Sequence, residues 1–151
     1  MRIIPFKESY LCNRMGRILA LDFGQKRTGI AVTDELQIIA SGLATIETAD
    51  LLSFLKNYLN EEKVDLIVVG EPKQMDNTAS QSEIYIQEFL QKLKSAFPNL
   101  PIDRIDERFT SKLAMQSMIE GGVKKKKRQN KSLLDEISAT LILQNYLYSK
   151  P

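Results

Sequence analysis

Acidic residues border apolar segments at three widely separated points of the chain. Asp22 ends an apolar run at residues 18–21, Glu107 ends the predicted strand that begins at Ile102, and Asp135 lies three residues after Ser132. If the fold brings these carboxylates together, their oxygens are the ligands that Mg²⁺ or Mn²⁺ prefers. A cation held there would activate water and stabilise the leaving oxygen of a phosphodiester, which indicates hydrolysis of nucleic acid.

Each acid also has an ordinary structural explanation when it is considered alone. Asp22 could accept hydrogen bonds within its own turn, and Glu107 could be a surface glutamate paired with a neighbouring arginine. Asp135 is predicted in the first turn of the last helix, where an acid interacts favourably with the helix dipole. Glu136 is adjacent, and the residues alone leave open which of the two faces the site.

The amino-acid composition excludes several other mechanisms. The chain of 151 residues has no histidine, which excludes Ser-His-Asp and Cys-His catalysis and imidazole metal sites. Cys12 is its only cysteine, so an intrachain disulfide and a multi-thiolate zinc cluster are excluded as well. Hydrophobic residues make up 43 % and charged residues 26 %, as in one globular domain.

Positive charge is concentrated in one segment near the C-terminus. Six basic residues fall within eight positions: Lys124, Lys125, Lys126, Lys127, Arg128 and Lys131. The whole chain carries +2, so the rest of it carries −4. We expect this segment to contact phosphates without reading bases, because no aromatic residue is interleaved. The alternative is a solvated loop.

A glycine-flanked turn follows Asp22 directly. Gly24 and Gly29 allow a tight backbone, and Lys26 and Arg27 between them could contact phosphate. The stretch is not a P-loop, because Gly29 is not followed by Lys and Ser or Thr. It is similar to the Asp-x-Gly phosphate turn of the actin and Hsp70-type ATPases, but these use two such domains and the chain is too short for both. A hairpin with a basic tip is the simpler alternative.

The apolar pattern predicts five strands that alternate, after the third, with helices. The strands are expected at residues 18–22, 28–33, 38–46, 64–69 and 102–105. Helices are expected at about 51–59, 80–96 and 111–120, and from Ser132 onward. Three closely spaced strands favour an antiparallel meander, and the later alternation favours parallel strands. The prediction is an α/β, ribonuclease-H-like fold with a mixed five-stranded sheet, three antiparallel then two parallel strands, flanked by helices.

The predicted helices carry start signals and apolar faces. Thr78 with Gln81, or Ser80 with Glu83, has the spacing of a capping box. Ser132 is expected to cap the last helix. Apolar residues at helical spacing are Ile86, Phe89, Leu90, Leu93 and Phe97 in one helix, and Leu134, Ile137, Leu141 and Leu147 in the last.

Four stretches of residues 16–148 resemble the motifs of the YqgF-type family, whose members are described as pre-16S rRNA nucleases and Holliday junction resolvases. The stretches are LALDFG at 19–24 with KRTGIA at 26–31, VGEP at 69–72 with Met75-Asp76, DERFTS at 106–111, and LDEISA at 134–139 with ILQ at 142–144. Asn77 stands where the family has glycine, and Ser138 where it has alanine. The distantly similar RuvC-type resolvases have a fourth acid at the position of Ser138.

The resemblance implies a ribonuclease-H-like fold and phosphodiester hydrolysis that depends on one or two Mg²⁺ or Mn²⁺ ions. It implies that Asp22, Glu107 and Asp135 are the catalytic, metal-ligating residues, and it favours Asp135 over Glu136. Lys26, Arg27, Arg108 and the basic segment would then hold the nucleic-acid backbone. Residues 15–151 are expected to form one nuclease domain. Residues 1–14 lack a clear periodicity and are expected to be an N-terminal extension, either a disordered tail or a stretch upstream of a true start at Met15.

The first functional hypothesis is a cytoplasmic nuclease that trims the 5′ end of pre-16S rRNA in ribosome biogenesis. The enzyme would be a monomer or a homodimer, and its RNA substrate would be free or part of the ribosomal particle. The second is a resolvase of four-way DNA junctions, which needs two active sites and hence a dimer. The third is a non-catalytic nucleic-acid-binding assembly factor. An ATPase-like phosphate-binding module is a fourth and is disfavoured by chain length. No membrane partner is expected, because no apolar run approaches the ~18 residues of a membrane span.

Overall fold

The elements of the fold are taken from a computed structural model that describes residues 16–72, 80–106 and 130–149. Its strands are β1 (Arg17–Phe23), β2 (Arg27–Thr33), β3 (Ala40–Glu47), β4 (Val64–Glu71) and β5 (Ile102–Asp106). Its helices are α1 (Leu51–Glu61), α2 (Glu83–Ala96) and α3 (Lys131–Ser149), and a 3₁₀ turn (Thr48–Asp50) leads into α1. Glu107, Arg108, the helix expected at 111–120 and basic residues 124–128 lie outside the described residues.

The five strands form one mixed sheet in the order β3-β2-β1-β4-β5. β1 pairs antiparallel with β2, and β2 pairs antiparallel with β3. β4 is parallel to both β1 and β5. The predicted pattern of three antiparallel and two parallel strands is therefore confirmed, and β1 and β4 are the central parallel pair.

Strand alternation divides the core between the two faces of the sheet. Leu19 and Leu21 of β1 pack with Leu55 of α1 and Phe89 of α2 on one face. Ile18 and Ala20 face the other way. They pack with residues of α3: Ala139, Ile142 and Leu143. Because helices cover both faces, the strands can be apolar on both sides, as the run at residues 67–69 is.

The apolar face predicted for α2 is confirmed, but its predicted cap is wrong. Ile86, Phe89, Leu90 and Leu93 are buried, and Phe97 packs against them. The helix begins at Glu83 after Ser82, which makes no side-chain cap. Ser80 accepts a hydrogen bond from the Ser82 backbone instead of capping Glu83. The Glu83 carboxylate instead accepts a hydrogen bond from Arg104 of β5, so it is not available to cap the helix. Thr78, the other candidate cap, lies outside the described residues.

The start and the buried face of α3 also differ from the prediction. Asn130, not Ser132, caps the helix, since its side-chain oxygen accepts hydrogen bonds from the backbone N–H groups of Ser132 and Leu133. The fully buried residues are Ser138, Ala139, Ile142 and Leu143, whereas Leu134, Ile137, Leu141 and Leu147 are only half-buried. Because α3 carries apolar side chains around much of its circumference, periodicity could not identify the buried stripe.

Candidate active site

Asp22 lies near the end of β1, on the face of the sheet that α3 covers. It has the same strand parity as Ile18 and Ala20, both of which pack against α3. Its partner across the antiparallel pair is Gly29 of β2, and paired residues turn their side chains to the same face. Asp22 is half-buried. The sheet therefore directs this carboxylate toward the start of α3.

Gly29 brings the start of α3 close to the sheet beside Asp22. A Cβ atom built on Gly29 would overlap the backbone carbonyl oxygen of Asp135. Any larger residue would push the helix backbone away, because a carbonyl in a helix cannot move aside as a side chain can. This contact places Asp135 above the residue that pairs with Asp22. The backbone of Asp135 therefore lies next to the strand position that pairs with Asp22.

Asp135 lies beyond the first turn of α3, since Asn130 caps the helix and the first turn contains no acid. The helix-dipole explanation considered for this residue is therefore wrong, because that interaction decays within the first turn. Another interaction must therefore compensate the partial burial of the Asp135 carboxylate.

Arg27 is the partner of Asp135 in this structure. The Arg27 Nε–H donates to Asp135 Oδ2 at 3.2 Å, and the two side chains are 36 % and 26 % exposed. Burial raises the pKa of Asp135 above its ordinary value, while the hydrogen bond and charge of Arg27 and, less strongly, the charge of Lys131 act in the opposite direction. The single long bond to Arg27 compensates burial only in part. A further positive charge near this carboxylate would therefore be stabilising.

Glu136, the alternative to Asp135, points toward a different strand. Its carboxylate and methylene groups lie over Gly42 of β3, which pairs with Ala31. Asp135 instead contacts Arg27 at the start of β2. The structure thus separates two adjacent acids that the sequence could not distinguish.

Thr48 holds the backbone of the turn that carries Lys26 and Arg27. Its hydroxyl donates to the Gly24 carbonyl at 2.5 Å, and its N–H donates to the Lys26 carbonyl at 2.9 Å. The Thr28 hydroxyl lies 2.9 Å from the Thr48 hydroxyl and can donate to it. Sequence inspection missed this residue, since an isolated threonine after a strand carries no recognisable signal.

A cleft of about 560 Å³ opens between this turn, the end of β3 and the start of α3. Lys26, Arg27, Thr45, Glu47 and Ser132 are among its lining residues. The Thr45 hydroxyl donates to the Ser132 carbonyl at 2.6 Å and so joins β3 to α3 at the cleft wall. Lys131, the described member of the basic segment, is exposed at the first position of α3.

Arg104 of β5 connects three elements close to this end of the sheet. Its guanidinium donates two hydrogen bonds of 2.9 Å to the Glu83 carboxylate at the start of α2. It also donates to the carbonyls of Val69 and Gly70 in β4. The bond to Arg104 lowers the pKa of Glu83. The Arg104–Glu83 ion pair could not be predicted, because nothing in the spacing of the two residues along the sequence indicates a contact.

Within the three described ranges, no group of three or more potential ligand residues is assembled into a metal site. Asp22 and Asp135 are described, whereas Glu107 of the expected set lies outside. No described helix is long and apolar enough to cross a membrane.

The strand order, with an acid near the end of the central strand and a second acid on a helix above it, defines a ribonuclease-H-like α/β fold. The chain belongs to the RuvX family, described as Holliday junction resolvase, whose pattern matches residues 16–149. The RuvC protein of T. thermophilus, solved in complex with a Holliday junction substrate, superposes with a TM-score of 0.53 at 17 % identity. The match covers 89 % of this chain and 94 % of RuvC and confirms the predicted fold.

Close relatives carry a more specific name. A protein of Christiangramia forsetii is 63 % identical over 134 residues, which cover 89 % of this chain and 99 % of the relative. One of Flavobacterium psychrophilum is 59 % identical over 136 residues, covering 90 % and 99 %. Both are named "Putative pre-16S rRNA nuclease". The resemblance drawn from the four motifs is confirmed at the level of the family.

Proposed function

We propose that this protein is a cytoplasmic, Mg²⁺- or Mn²⁺-dependent nuclease that trims the 5′ end of pre-16S rRNA. The observation that carries the proposal is the contact of Asp135 with Gly29, which brings a second carboxylate above the β-pair partner of Asp22. Family membership and the names of the close relatives support the same activity. We assign residues 15–151 to one nuclease domain and residues 1–14 to an extension, as the family match begins at Gly16.

The described donors fit a divalent cation. Asp22 and Asp135 are half-buried carboxylates on the α3 side of the sheet, and burial disfavours the charge on Asp135. Asp103 and Ile105 of β5 contact α3. Glu107 follows them at the same two-residue spacing in the sequence, the spacing of side chains on one face of a strand. We assign Asp22, Glu107 and Asp135 as the residues that hold one or two ions. A bound ion would supply charge to the phosphate and activate water for hydrolysis.

The chain's basic residues would position the scissile strand at these acids. Lys26 and Arg27 lie on a turn held by Thr48, beside Asp135. We propose that they contact backbone phosphates together with Arg108, Lys131 and residues 124–128. Such contacts fix the register of a strand without reading its bases, so the substrate would be selected by shape or by the ribosomal particle.

A cleavage assay tests this function directly. A labelled pre-16S rRNA 5′ leader and a four-way DNA junction are each incubated with protein in Mg²⁺, Mn²⁺ or EDTA. Asp22→Asn is compared with Asp103→Asn, which makes the same change on β5 and leaves an oxygen for the Tyr146 hydroxyl. We expect metal-dependent cutting of the RNA, lost in Asp22→Asn and retained in Asp103→Asn. Equal activity of Asp22→Asn and the unmodified protein would contradict the site assignment.

Junction resolution is the second candidate, since the family itself is described as Holliday junction resolvase. It predicts paired cuts in the junction and a homodimer, because symmetric cleavage needs two active sites. Metal-dependent cutting of the junction with no cutting of the RNA would select it. Binding of either substrate without turnover in any metal would instead support the assembly-factor alternative.

A further inference from the structure

Arg27 lies between the acidic site and the cleft. Its Nε–H bonds to Asp135, and the same side chain lines the cleft. The other N–H groups of its guanidinium bond to no described residue, and the side chain is 36 % exposed. Arg27 can therefore reorient into the cleft at little cost in packing. Its only described ion pair is with a residue that we assign as a metal ligand.

The cleft itself suits a phosphate group of a nucleic-acid strand. Lys26 lines it and forms no ion pair with any described residue, whereas Arg27, which also lines it, is paired with Asp135. Glu47 is the acid among the lining residues. Thr48 fixes the backbone from which both cations extend. The volume of about 560 Å³ lies within the range of small-molecule sites, roughly 300–1,000 Å³. A phosphate in the cleft would meet the charge of Lys26, beside the Arg27 side chain that bonds to Asp135.

We propose that a backbone phosphate of the substrate strand binds in this cleft and that Arg27 exchanges Asp135 for it, so that strand binding and cation binding at Asp135 favour each other. This inference rests on the proposed function. Without a strand, Arg27 neutralises Asp135 and competes with the cation for the same carboxylate. With a strand bound, the guanidinium can form paired hydrogen bonds to phosphate, a stronger interaction than its single bond to Asp135. Asp135 is then available to the cation.

Thermodynamic linkage makes this exchange measurable from either side. If the strand raises the affinity for the cation by some factor, the cation must raise the affinity for the strand by the same factor. Without nucleic acid, removal of Arg27 should tighten cation binding, because the competitor is lost. In the same variant the mutual enhancement should decrease, because only direct contact between cation and phosphate would remain.

Calorimetric titration with Mn²⁺ in the absence of nucleic acid is the first measurement. We expect Arg27→Gln to bind Mn²⁺ at least about fivefold more tightly than the unmodified protein. Lys26→Gln removes an equal charge from the same turn but no partner of Asp135, so it should change the Mn²⁺ affinity by less than about twofold. Arg27→Met is measured beside Arg27→Gln, with thermal melts of all variants, so that misfolding of one leaves the test intact.

The second measurement repeats the Mn²⁺ titration with a saturating short single-stranded RNA that carries 2′-O-methyl sugars and phosphorothioate linkages. Gel electrophoresis checks that the RNA is still intact afterwards. We expect the RNA to increase the Mn²⁺ affinity of the unmodified protein more than that of Arg27→Gln. Equal enhancement in both proteins, or unchanged Mn²⁺ affinity in Arg27→Gln without RNA, would overturn the exchange.

Asp22→Asn separates this inference from the function on which it rests. If Asp22→Asn abolishes Mn²⁺ binding while both Arg27 variants bind as the unmodified protein does, the metal site stands and the exchange is wrong. If Asp22→Asn binds Mn²⁺ normally, the metal-site assignment fails and the exchange fails with it.

Discussion

Asp135, a residue that we propose as a metal ligand, carries a charge that the folded protein disfavours. The pKa of Asp135 is raised chiefly by burial, and Arg27 and Lys131 compensate only in part. For a group whose folded-state pKa is raised, the stabilising contribution is present below the unfolded pKa and is lost as the pH rises through the folded pKa. The ionised carboxylate therefore destabilises the folded protein at neutral pH. The proposed role of Asp135 as a metal ligand would explain why a carboxylate occupies this position.

We accordingly expect Asp135→Asn, measured in EDTA, to melt at a higher temperature than the unmodified protein near neutral pH. The amide removes the buried charge, and its oxygen can still accept the Arg27 hydrogen bond. The difference should shrink as acid protonates Asp135. Melting curves across pH test this expectation, and a lower melting temperature of the variant at neutral pH would contradict it.

Glu83 behaves in the opposite way, because its pKa is lowered by the hydrogen bond from Arg104. Its stabilising contribution is present above the unfolded pKa and is lost as the pH falls through the folded pKa. The two side chains are 16 % and 19 % exposed, so the interaction is shielded from solvent only in part. It connects the start of α2 to β4 and β5.

Glu83→Gln should therefore lower the free energy of unfolding by about 1–2 kcal/mol at neutral pH. The loss should disappear in acid, where the Glu83 of the unmodified protein is also protonated. Denaturant unfolding at several pH values measures it, with Glu88→Gln as an exposed control on the same helix. A loss that does not change with pH would show that the ion pair is not its cause.

The close packing of α3 on the sheet is the decisive feature at the scale of elements. Gly29 faces the helix backbone at Asp135, whereas Gly42 faces the flexible side chain of Glu136. The two glycines therefore form a natural pair for testing how closely the helix must approach. A methyl group beneath a helix carbonyl forces the whole element to move, but a methyl group beneath a glutamate requires only a new rotamer.

We expect Gly29→Ala to destabilise the protein by about 1–3 kcal/mol and to reduce cleavage by at least about tenfold, because Asp135 moves with the helix. Gly42→Ala should have a much smaller effect on both quantities. Unfolding curves and single-turnover cleavage rates of the two variants provide the comparison. Equal activity of the two variants would show that the approach of α3 at Gly29 does not position the site.

The sequence predicted the elements better than their contacts. Apolar runs and β-branched residues identified β1, β2 and β4 because these strands are buried in the sheet between two helical layers. The edge strands β3 and β5 are only partly buried and carry a weaker pattern. The buried stripe of α3 could not be predicted, since apolar residues lie around much of the helix. The cap could not be predicted either, since Asn130 and Ser132 are both suitable capping residues. The pairs Arg27–Asp135 and Arg104–Glu83 join residues far apart in the sequence, so no local pattern indicates them.

Charge distribution is the main feature at the scale of the whole molecule. The chain carries +2 in total, yet the basic segment alone contributes six positive charges to an otherwise acidic protein. Lys131 of that segment begins α3, the helix that carries Asp135. The charge of Lys131 would therefore attract an anionic strand to the start of α3, close to Asp135.

If the six basic residues neutralise about six phosphates of a duplex, log K should fall against log[salt] with a slope near −5. Replacing residues 124–127 with glutamine should reduce the magnitude of that slope by about 3–4. Fluorescence anisotropy over a salt series measures both slopes. A slope near −1 for the unmodified protein would mean that the segment is not the main contact surface.

If Asp22 and Asp135 act together in one site, a double-mutant cycle of cleavage rates will show that their effects are not independent. Single-turnover cleavage of the pre-16S rRNA leader is measured for the unmodified protein, Asp22→Asn, Asp135→Asn and the double variant. We predict that each single change lowers the rate by at least about a thousandfold and that the double variant is no slower than either, as for residues that act as a unit. Near-normal rates in the single variants, or losses that multiply in the double variant, would contradict their action in one site.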